Sequence, residues 1–365
     1  MLRFHHGECV LDWGVSGTDE TNARLYGGEP QRGVKPMRCL VTGASGFLGS
    51  WLVRQLLQDG HSVMAVVRRG GKHPRLTAIA SQLEFAYADL STIPSIAAEV
   101  QHFGPDVAFH LAWQGGNSSK FVNDPEQVYS NVPGTLELVR IAHEVACKGF
   151  FFFGSSVEYG TYRIPVRETD VASPRNLYGY SKHAMMQLTQ ALSEKWGMRF
   201  CGIRPFWTYG PIDDELRMIP YVIRQFLGGN RPKVTAGEQL WDFLYVEDAV
   251  RALVGLAASE DATGIFNLGS GSPRPLKNVI YLIRDLIDPQ LEIGFGEIPY
   301  SPDQVMHLEA DISKLRSATG WKPEISLEEG LRRTVEWYRY SPMNRGCCGI
   351  SMAQTLPRAT KDEQM

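Results

Sequence analysis

Two side chains that can exchange a proton stand four positions apart in the segment Tyr178-Gly-Tyr-Ser-Lys182. The apolar pattern predicts a helix over residues 177–196, and side chains four apart share one face of a helix. A nearby ammonium favours the phenolate form of tyrosine, so the pair is suited to acid–base chemistry at a carbonyl or hydroxyl oxygen. By itself the spacing is a frequent chance match and is typical of a surface pair.

A serine pair, Ser155 and Ser156, follows the apolar run Gly149–Phe153, which reads as a buried strand. In a parallel sheet the carboxyl ends of the strands line the ligand crevice. Ser155 is therefore expected to hydrogen-bond the same substrate oxygen as Tyr178, and Ser156 to contact the substrate. Turn chemistry after a strand is the alternative for at least one of the two serines.

A glycine turn joins an apolar strand to a helix start in Cys39-Leu-Val-Thr-Gly43-Ala-Ser-Gly46-Phe-Leu-Gly49. Such a turn lets a pyrophosphate approach backbone N–H groups at a helix N-terminus. A plain βα turn without a ligand is the alternative, but the position at the first βα junction favours a dinucleotide. The predicted cofactor contacts here are Gly43, Ser45, Gly46, Phe47, Leu48 and Gly49.

The second strand bears on which dinucleotide binds. It ends Ala-Val-Val-Arg68-Arg69 with no acidic residue, and an arginine suits the 2′-phosphate of NADP. We therefore predict NADP(H), with NAD(H) as the other possibility; two solvated arginines are the alternative reading of this strand end. The remaining predicted cofactor contacts are Asp89, which can accept from the adenine amino group, Leu90, Leu111, Ala112, Pro205, and Lys182 toward the nicotinamide ribose.

Short apolar runs alternate with helical patterns between residues 37 and 205, which predicts an α/β fold with a doubly wound, Rossmann-like parallel sheet. We assign 37–205 to a dinucleotide-binding domain, to which 240–270 returns. Residues 206–340 then form most of a smaller substrate-binding lobe. The segments 1–36 and 341–365 show no sustained apolar period and are predicted to be disordered; for 1–36 the alternative is an upstream start codon used in place of Met37.

Composition excludes several classes of function. The formal net charge is -3, which gives no electrostatic reason to expect nucleic acid or an anionic membrane as partner. No apolar run has the length of a membrane span, and the N-terminus lacks a signal-peptide pattern. The six cysteines form no CxxC pair, so reduced thiols in the cytoplasm and no metal site are expected.

The ordered motifs resemble the extended short-chain dehydrogenase/reductase family, and more narrowly its nucleotide-sugar epimerases, dehydratases and 4-ketoreductases. The resemblance covers nearly all of residues 37–340. It implies Ser155, Tyr178 and Lys182 as the catalytic group and Asn131 as a positioning residue. The matching motifs are TGASGFLG at 42–49, HLAW at 110–113, SSVEYG at 155–160, YGYSK at 178–182, RPFWTYGP at 204–211, WDFLYVEDAV at 241–250, FNLGSG at 266–271 and GWKPEISLEEGLRRTVEWY at 320–338.

Departures from the family pattern narrow the reaction. Family dehydratases carry an Asp-Glu pair where Ser156 and Val157 stand, and family decarboxylases carry a glutamate at the position of Val157. Dehydration and decarboxylation are therefore disfavoured, because these carboxylates are missing here. Glu158 comes one position later and, on a strand-like stretch, is expected to face the other way.

The substrate grip departs as well. Many members have asparagine where Trp207 stands, and arginine where Trp241 and Ser301 stand. We predict that Trp113, Trp207 and Trp241 contact the substrate, although core packing between the lobes explains Trp207 and Trp241 equally well.

The sequence thus predicts NADPH-dependent reduction of a 4-keto group on a nucleotide-linked deoxysugar. A 4-epimerase with retained NAD is the alternative, and a non-catalytic NADP-binding sensor is a third possibility, which the presence of both Tyr178 and Lys182 disfavours. The resemblance also implies a homodimer that pairs through the helices carrying Asn131 and Tyr178.

Overall fold

The computed structural model describes residues 35–115, 121–160, 164–301 and 304–340. Its centre is a seven-stranded sheet in which every neighbouring pair is parallel. The strands are β1 (Arg38–Thr42), β2 (Ser62–Val67), β3 (Glu84–Tyr87), β4 (Val107–His110), β5 (Gly149–Phe153), β6 (Arg199–Pro205) and, later in the chain, β10 (Gly264–Leu268). Their spatial order is β10-β6-β5-β4-β1-β2-β3, so the chain reverses direction across the sheet between β1 and β4, where ligands bind in such sheets.

Helices connect the strands and cover both faces of the sheet. They are α1 (Phe47–Gln58), α2 (Ala97–Phe103), α3 (Glu126–Tyr129), α4 (Asn131–Glu144), α5 (Leu177–Lys195), α6 (Met218–Leu227), α7 (Val246–Ala258), α8 (Leu276–Ile287), α9 (Ser313–Thr319) and α10 (Leu327–Tyr340). Short 3₁₀ helices span Pro74–Gln82, Ile93–Ile96 and Ser156–Tyr159.

Strand β5 shows why the sheet needs helices on both sides. Its four phenylalanines are all buried; Phe150 and Phe152 pack into the cluster on one face, and Phe151 and Phe153 into the cluster on the other. A strand that is apolar at every position cannot face water on either side. The predicted Rossmann-like sheet is confirmed.

The second half of the chain adds two small sheets beside the carboxyl ends of the main strands. Strand β7 (Trp207–Tyr209) pairs with β9 (Phe243–Tyr245), and β8 (Leu240–Trp241) lies between β11 (Arg274–Pro275) and β12 (His307–Leu308). Strand β10 returns to the main sheet beside β6. The division into two lobes at residue 205 stays a prediction.

Most predicted elements agree with the structure to within two residues at each end. The sequence patterns over 125–145 and 92–103 each predict a single helix. The structure has α3 followed by α4 in the first segment, and a 3₁₀ turn before α2 in the second. The expected disordered ends, 1–36 and 341–365, lie outside the described residues except for residues 35 and 36. No helix among the described residues is long and apolar enough to cross a membrane.

Candidate active site

The glycine turn after β1 is closely packed against the loop that follows β4. Gly43 has φ of +69°, and a Cβ there would lie 2.7 Å from the amide nitrogen of Ala112. A Cβ on Gly49 would collide with the carbonyl oxygen of Gly43, so this glycine lets α1 start against the strand. Backbone close packing therefore requires two of the three glycines, whatever binds there.

Helix α1 begins beside this turn with no side-chain cap on Gly46. The first amides of an α-helix have no partner within the helix, so they are available to an anion. Gly46 is exposed, whereas Ser45, Phe47 and Leu48 are half-buried, as are Leu111 and Ala112 on the opposite loop. An uncapped helix start facing a small alanine fits the pyrophosphate of a dinucleotide.

The outer end of this groove is formed by exposed side chains. Arg68, just after β2, makes no side-chain hydrogen bond or ion pair among the described residues, and Asp89 after β3 is also exposed. The carboxylate of Asp89 accepts from the hydroxyl of Ser91 at 2.6 Å and from the amides of Ser91 and Thr92, and these bonds lower its pKa, the hydroxyl most. Asp89 thus caps its own turn, and buried Leu90 packs against Gly134 of α4.

Two buried polar residues hold the loop after β4 in place. His110 contacts Thr42 at 2.7 Å through Nδ1 and Thr135 at 2.9 Å through Nε2. Asn131, wholly buried, accepts from the amide of Gln114 at 2.7 Å. Asn131 therefore positions the loop that carries Leu111 and Ala112.

Ser155 and Tyr178 meet at the carboxyl end of β5. Ser155 caps the 3₁₀ turn Ser156–Tyr159 by accepting from the amide of Val157, and its hydroxyl hydrogen-bonds to the phenol of Tyr178. Helix α5 presents Tyr178 in its first turn. Asn176 caps this helix, because its side-chain oxygen accepts from the amide of Gly179. Ser156 is buried in the same 3₁₀ turn.

Lys182 lies one turn further along α5 and is 4% exposed. Its Nζ donates to the carbonyl of Phe153 at 2.6 Å and stands 3.8 Å above the ring of Trp113. Trp113 contacts the Tyr178 ring edge to face, with centroids 6.3 Å apart, and its indole N–H donates to Gln127 at 2.7 Å. The structure thus brings Ser155, Tyr178, Lys182 and Trp113 together.

The titration behaviour of this group differs from the sequence expectation. Burial raises the pKa of Tyr178 to about 12, against a smaller lowering by the hydrogen bond from Ser155, and Lys182 is not among the groups that shift it. Burial lowers the pKa of Lys182 to about 7, while Glu158 opposes that shift. The expected lowering of the phenol pKa by the ammonium is therefore wrong for this structure: the phenol stays protonated at neutral pH.

The sequence expectation for Glu158 is wrong in its local structure. The segment is a 3₁₀ turn, not an extended stretch. The turn carries Glu158 under the serine, where its carboxylate accepts from the Ser155 amide at 2.8 Å and from Arg204 at 3.0 Å. Its tight packing against Gly154 keeps the carboxylate in the interior.

The two tryptophans predicted to contact substrate stack on each other. Trp207 and Trp241 have ring centroids 4.7 Å apart at an interplanar angle of 25°, and Trp241 donates to the carbonyl of Val305. The guanidinium of Arg217 lies 4.8 Å above Trp207 and 6.0 Å from the ring of Phe47 at the cofactor turn. Pro205 ends β6 opposite Leu268 of β10.

Sequence reasoning missed several residues of this region. Gln127, which orients Trp113, lies in no quoted motif, and Arg217 lies in a segment without regular pattern. Arg204, which pairs with Glu158, begins the motif at 204–211 but was given no role. Asp213, 4% exposed, holds Arg217 at 3.0 Å. An arginine inside an otherwise apolar strand was the one available signal, at Arg204.

Known proteins share this architecture. The UDP-glucose 4-epimerase of Thermotoga maritima, solved with UDP-glucose, is 27% identical with a TM-score of 0.75, covering 83% of this chain and 99% of that one. The UDP-glucose 4-epimerase of Thermus thermophilus, solved with NAD, is 25% identical with a TM-score of 0.75, covering 84% and 100%.

Sequence relatives include dTDP-glucose 4,6-dehydratase 1 of Escherichia coli, 28% identical over an alignment of 334 residues that covers 83% of this chain and 92% of the relative. UDP-glucuronic acid decarboxylase 1 of Arabidopsis thaliana is 30% identical over 323 residues, covering 86% and 72%. The profile of the NAD dependent epimerase/dehydratase family matches residues 39–269. The predicted kind of enzyme, an oxidoreductase or epimerase of the extended short-chain dehydrogenase/reductase group, is confirmed: the chain belongs to the NAD dependent epimerase/dehydratase family.

Proposed function

We propose that this protein is an NADPH-dependent reductase of the 4-keto group of a nucleotide-linked 4-keto-6-deoxysugar. The observation that carries the proposal is the buried pair of hydroxyls, Ser155 hydrogen-bonded to Tyr178, beside Lys182. A phenol whose pKa is raised to about 12 keeps its proton at neutral pH. This phenol holds the proton that a carbonyl oxygen must receive, and the hydrogen bond from Ser155, which lowers the phenol pKa, favours its release.

In this reaction Ser155 orients the carbonyl oxygen and Tyr178 donates the proton to it. When bound, the reduced nicotinamide supplies the hydride to the carbonyl carbon. Lys182 holds the nicotinamide ribose. Solvent then returns the proton to Tyr178, so one carbonyl takes up one hydride and one proton.

Elimination and decarboxylation are disfavoured by the neighbours of Ser155. The next two positions are Ser156 and Val157, which have no carboxylate. Glu158 is 0% exposed and is engaged by Arg204 and the Ser155 amide. A carboxylate held in that way cannot reach a sugar carbon to remove water.

The preference for NADPH rests on Arg68. This arginine is exposed, follows β2 directly, and makes no side-chain hydrogen bond or ion pair among the described residues. It can present paired N–H donors to a 2′-phosphate. The other proposed cofactor contacts are the glycine turn, Asp89, Leu90, Leu111, Ala112, Asn131, Lys182 and Pro205.

We propose that the substrate contacts Trp113, Ser156, Trp207 and Trp241. Residues 206–340 are proposed to form most of the lobe that binds it. The relatives support a nucleotide sugar, because their names give UDP- or dTDP-linked sugars. We also propose a homodimer through α4 and α5. Exposed Tyr180 and Leu188 on α5 support this interface, and gel filtration coupled to light scattering would test it.

A 4-epimerase with retained NAD is the second candidate, because two of the similar solved proteins are UDP-glucose 4-epimerases. An epimerase must first oxidise its substrate, which needs Tyr178 as a base. The catalytic group serves both reactions, and the reductase is proposed first because Arg68 favours NADPH, the usual donor in reductive biosynthesis.

The deciding experiment incubates the purified protein with NADPH and UDP- or dTDP-linked 4-keto-6-deoxysugars, and follows loss of NADPH absorbance and sugar products by mass spectrometry. The proposal expects stoichiometric oxidation of NADPH and a product two mass units heavier than the keto sugar, by addition of hydride and proton. Interconversion of UDP-hexose epimers without net NADPH consumption would establish the epimerase instead.

A further inference from the structure

A buried ion pair lies against the turn that follows Ser155, and neither of its members takes part directly in the proposed reaction. Glu158 and Arg204 are 0% and 2% exposed, and both the Nε and a terminal nitrogen of Arg204 lie 3.0 Å from Oε2 of Glu158. Arg204 comes from the carboxyl end of β6. Its guanidinium also lies 4.4 Å from the ring centroid of Tyr159. The pair therefore ties the 3₁₀ turn to the neighbouring strand.

The second oxygen of Glu158 acts on the catalytic serine directly. Oε1 accepts from the backbone amide of Ser155 at 2.8 Å, and the Ser155 hydroxyl in return accepts from the amide of Val157. This reciprocal capping box fixes the backbone of the turn at both ends. With its backbone held in this way, Ser155 presents its hydroxyl to Tyr178.

Glu158 and Lys182 both hydrogen-bond to the backbone of residues 153–155. Lys182 donates to the carbonyl of Phe153, Glu158 accepts from the amide of Ser155, and between them Gly154 leaves no room for a Cβ beside the carboxylate. The carboxylate and the ammonium thus hold backbone groups two residues apart, and the charge of Glu158 opposes the lowering of the Lys182 pKa by burial.

We propose that Glu158 is a positioning residue for the reaction: paired with Arg204, it fixes the orientation of Ser155 and supplies the negative charge that faces Lys182. This inference rests on the proposed reductase activity. It assigns a use to a carboxylate that occupies neither the place of a dehydratase acid nor that of a base.

The groups around Lys182 determine how loss of the Glu158 charge changes the pKa of the ammonium. Tyr178 and His183 lie on its own helix, His110 lies at the end of β4, Glu158 and Arg204 come from the turn and β6, and the rings of Trp113 and Phe152 cover the ammonium. Among the groups that shift the pKa of Lys182, Glu158 opposes the lowering by burial. Glu158 also contributes to the raised pKa of Tyr178. Loss of its charge lowers both pKa values.

The test is the Glu158→Gln variant, which keeps an acceptor for the Ser155 amide but removes the charge. We expect kcat to fall about tenfold and the high-pH limb of the reduction rate to move down by about one pH unit, the size of effect that one nearby charge exerts. KM for NADPH should stay within twofold, roughly the scatter of surface substitutions. Glu158→Asp keeps the charge on a shorter side chain, so it should lower kcat and leave the limb in place.

The matched control is Asp248→Asn. Asp248 is also 0% exposed, pairs with Arg251 and accepts from the amides of Glu324 and Ile325, but it lies on α7, away from the catalytic turn. Its loss should lower the free energy of unfolding without moving the pH limb. Loss of one partner of a buried pair can prevent folding, so the double variant Glu158→Gln/Arg204→Gln, which leaves no unpaired charge, provides a second route to the same shift.

Hydrogen exchange separates this inference from the proposed activity. Amides of residues 153–160 should exchange about tenfold faster in Glu158→Gln than in the wild type, equivalent to one lost charged hydrogen bond, and Asp248→Asn should leave them unchanged. If the wild type reduces no keto sugar, the proposed function fails and the exchange rates alone decide the inference. A folded Glu158→Gln enzyme with an unmoved pH limb, or with unchanged exchange over 153–160, would overturn it.

Discussion

The two ends of the proposed cofactor groove are built in opposite ways. At the reacting end, Tyr178, Lys182 and Ser155 are each less than a tenth exposed and are linked through hydrogen bonds and ring contacts. At the outer end, Arg68 and Asp89 are exposed, and no described contact ties the Arg68 side chain to the fold. In the proposed function, the chemistry depends on groups whose positions packing determines, while the proposed preference for NADPH depends on a side chain exposed to water.

This difference has an energetic consequence. In a buried site the pKa values and orientations of the groups depend on one another, because desolvation and short contacts dominate. An exposed arginine interacts with its ligand against competition from water and salt. Substitutions at the reacting end should therefore have large, coupled effects, and those at the outer end smaller, separable ones.

The largest effect is expected for Tyr178→Phe, which removes the hydroxyl and keeps the ring beside Trp113. Turnover should fall by about 10²–10⁴-fold, the usual contribution of a general acid. Affinity for NADPH, measured by fluorescence titration, should change little. A variant with substantial turnover would mean that the buried end is not where the proton is transferred.

Arg68→Asp should have the next largest effect, at the other end of the groove. Loss of charged hydrogen bonds and repulsion of the 2′-phosphate should raise KM for NADPH by about 10–100-fold, with little change for NADH. The control is Arg69→Asp, because Arg69 is the adjacent exposed arginine but lies over the ring of Tyr87. Equal losses for the two cofactors would contradict the assignment of Arg68.

His110 lies between the two regions, at the end of β4. Its burial is expected to make the free energy of unfolding depend on pH in the acid range. Burial, with the charge of Lys182, lowers its pKa from 6.5 to about 3. The unfolded chain binds a proton below pH 6.5 and the folded protein does not until about pH 3, so stability contributed by this group is lost as pH falls through that window.

Urea unfolding at pH 7 and pH 5 measures this loss. His110 should account for about 2 kcal/mol of the decrease, and His110→Asn should be correspondingly less sensitive to the change, although less stable at pH 7. An equal decrease in both proteins would show that His110 does not titrate as its burial implies.

How much the sequence predicted follows the same division. The strands and longer helices were predictable because apolar runs such as Gly149–Phe153 have no other stable placement, and Tyr178 and Lys182 were predictable from their spacing on one helix face. Glu158 was placed wrongly because a local 3₁₀ turn, stabilised by its own capping box, overrides the alternation of a strand. The raised pKa of Tyr178 could not be read from spacing, since it depends on burial.

The smallest effect is expected at Trp113, which packs against Lys182 and Tyr178 at the reacting end. Its ring lies 3.8 Å from the Lys182 ammonium, and Gln127 holds it there through the indole N–H. A cation over an indole face contributes about 0.5–2 kcal/mol, so Trp113→Leu should lower kcat several-fold and move the high-pH limb of the rate slightly downward, since the charged form of Lys182 loses support. Trp196→Leu is the control, because that ring stacks on His143 instead of a catalytic residue. If Trp113→Leu raises KM for the sugar and leaves kcat and its pH dependence unchanged, then Trp113 belongs to the substrate surface alone, and the buried region ends at Lys182.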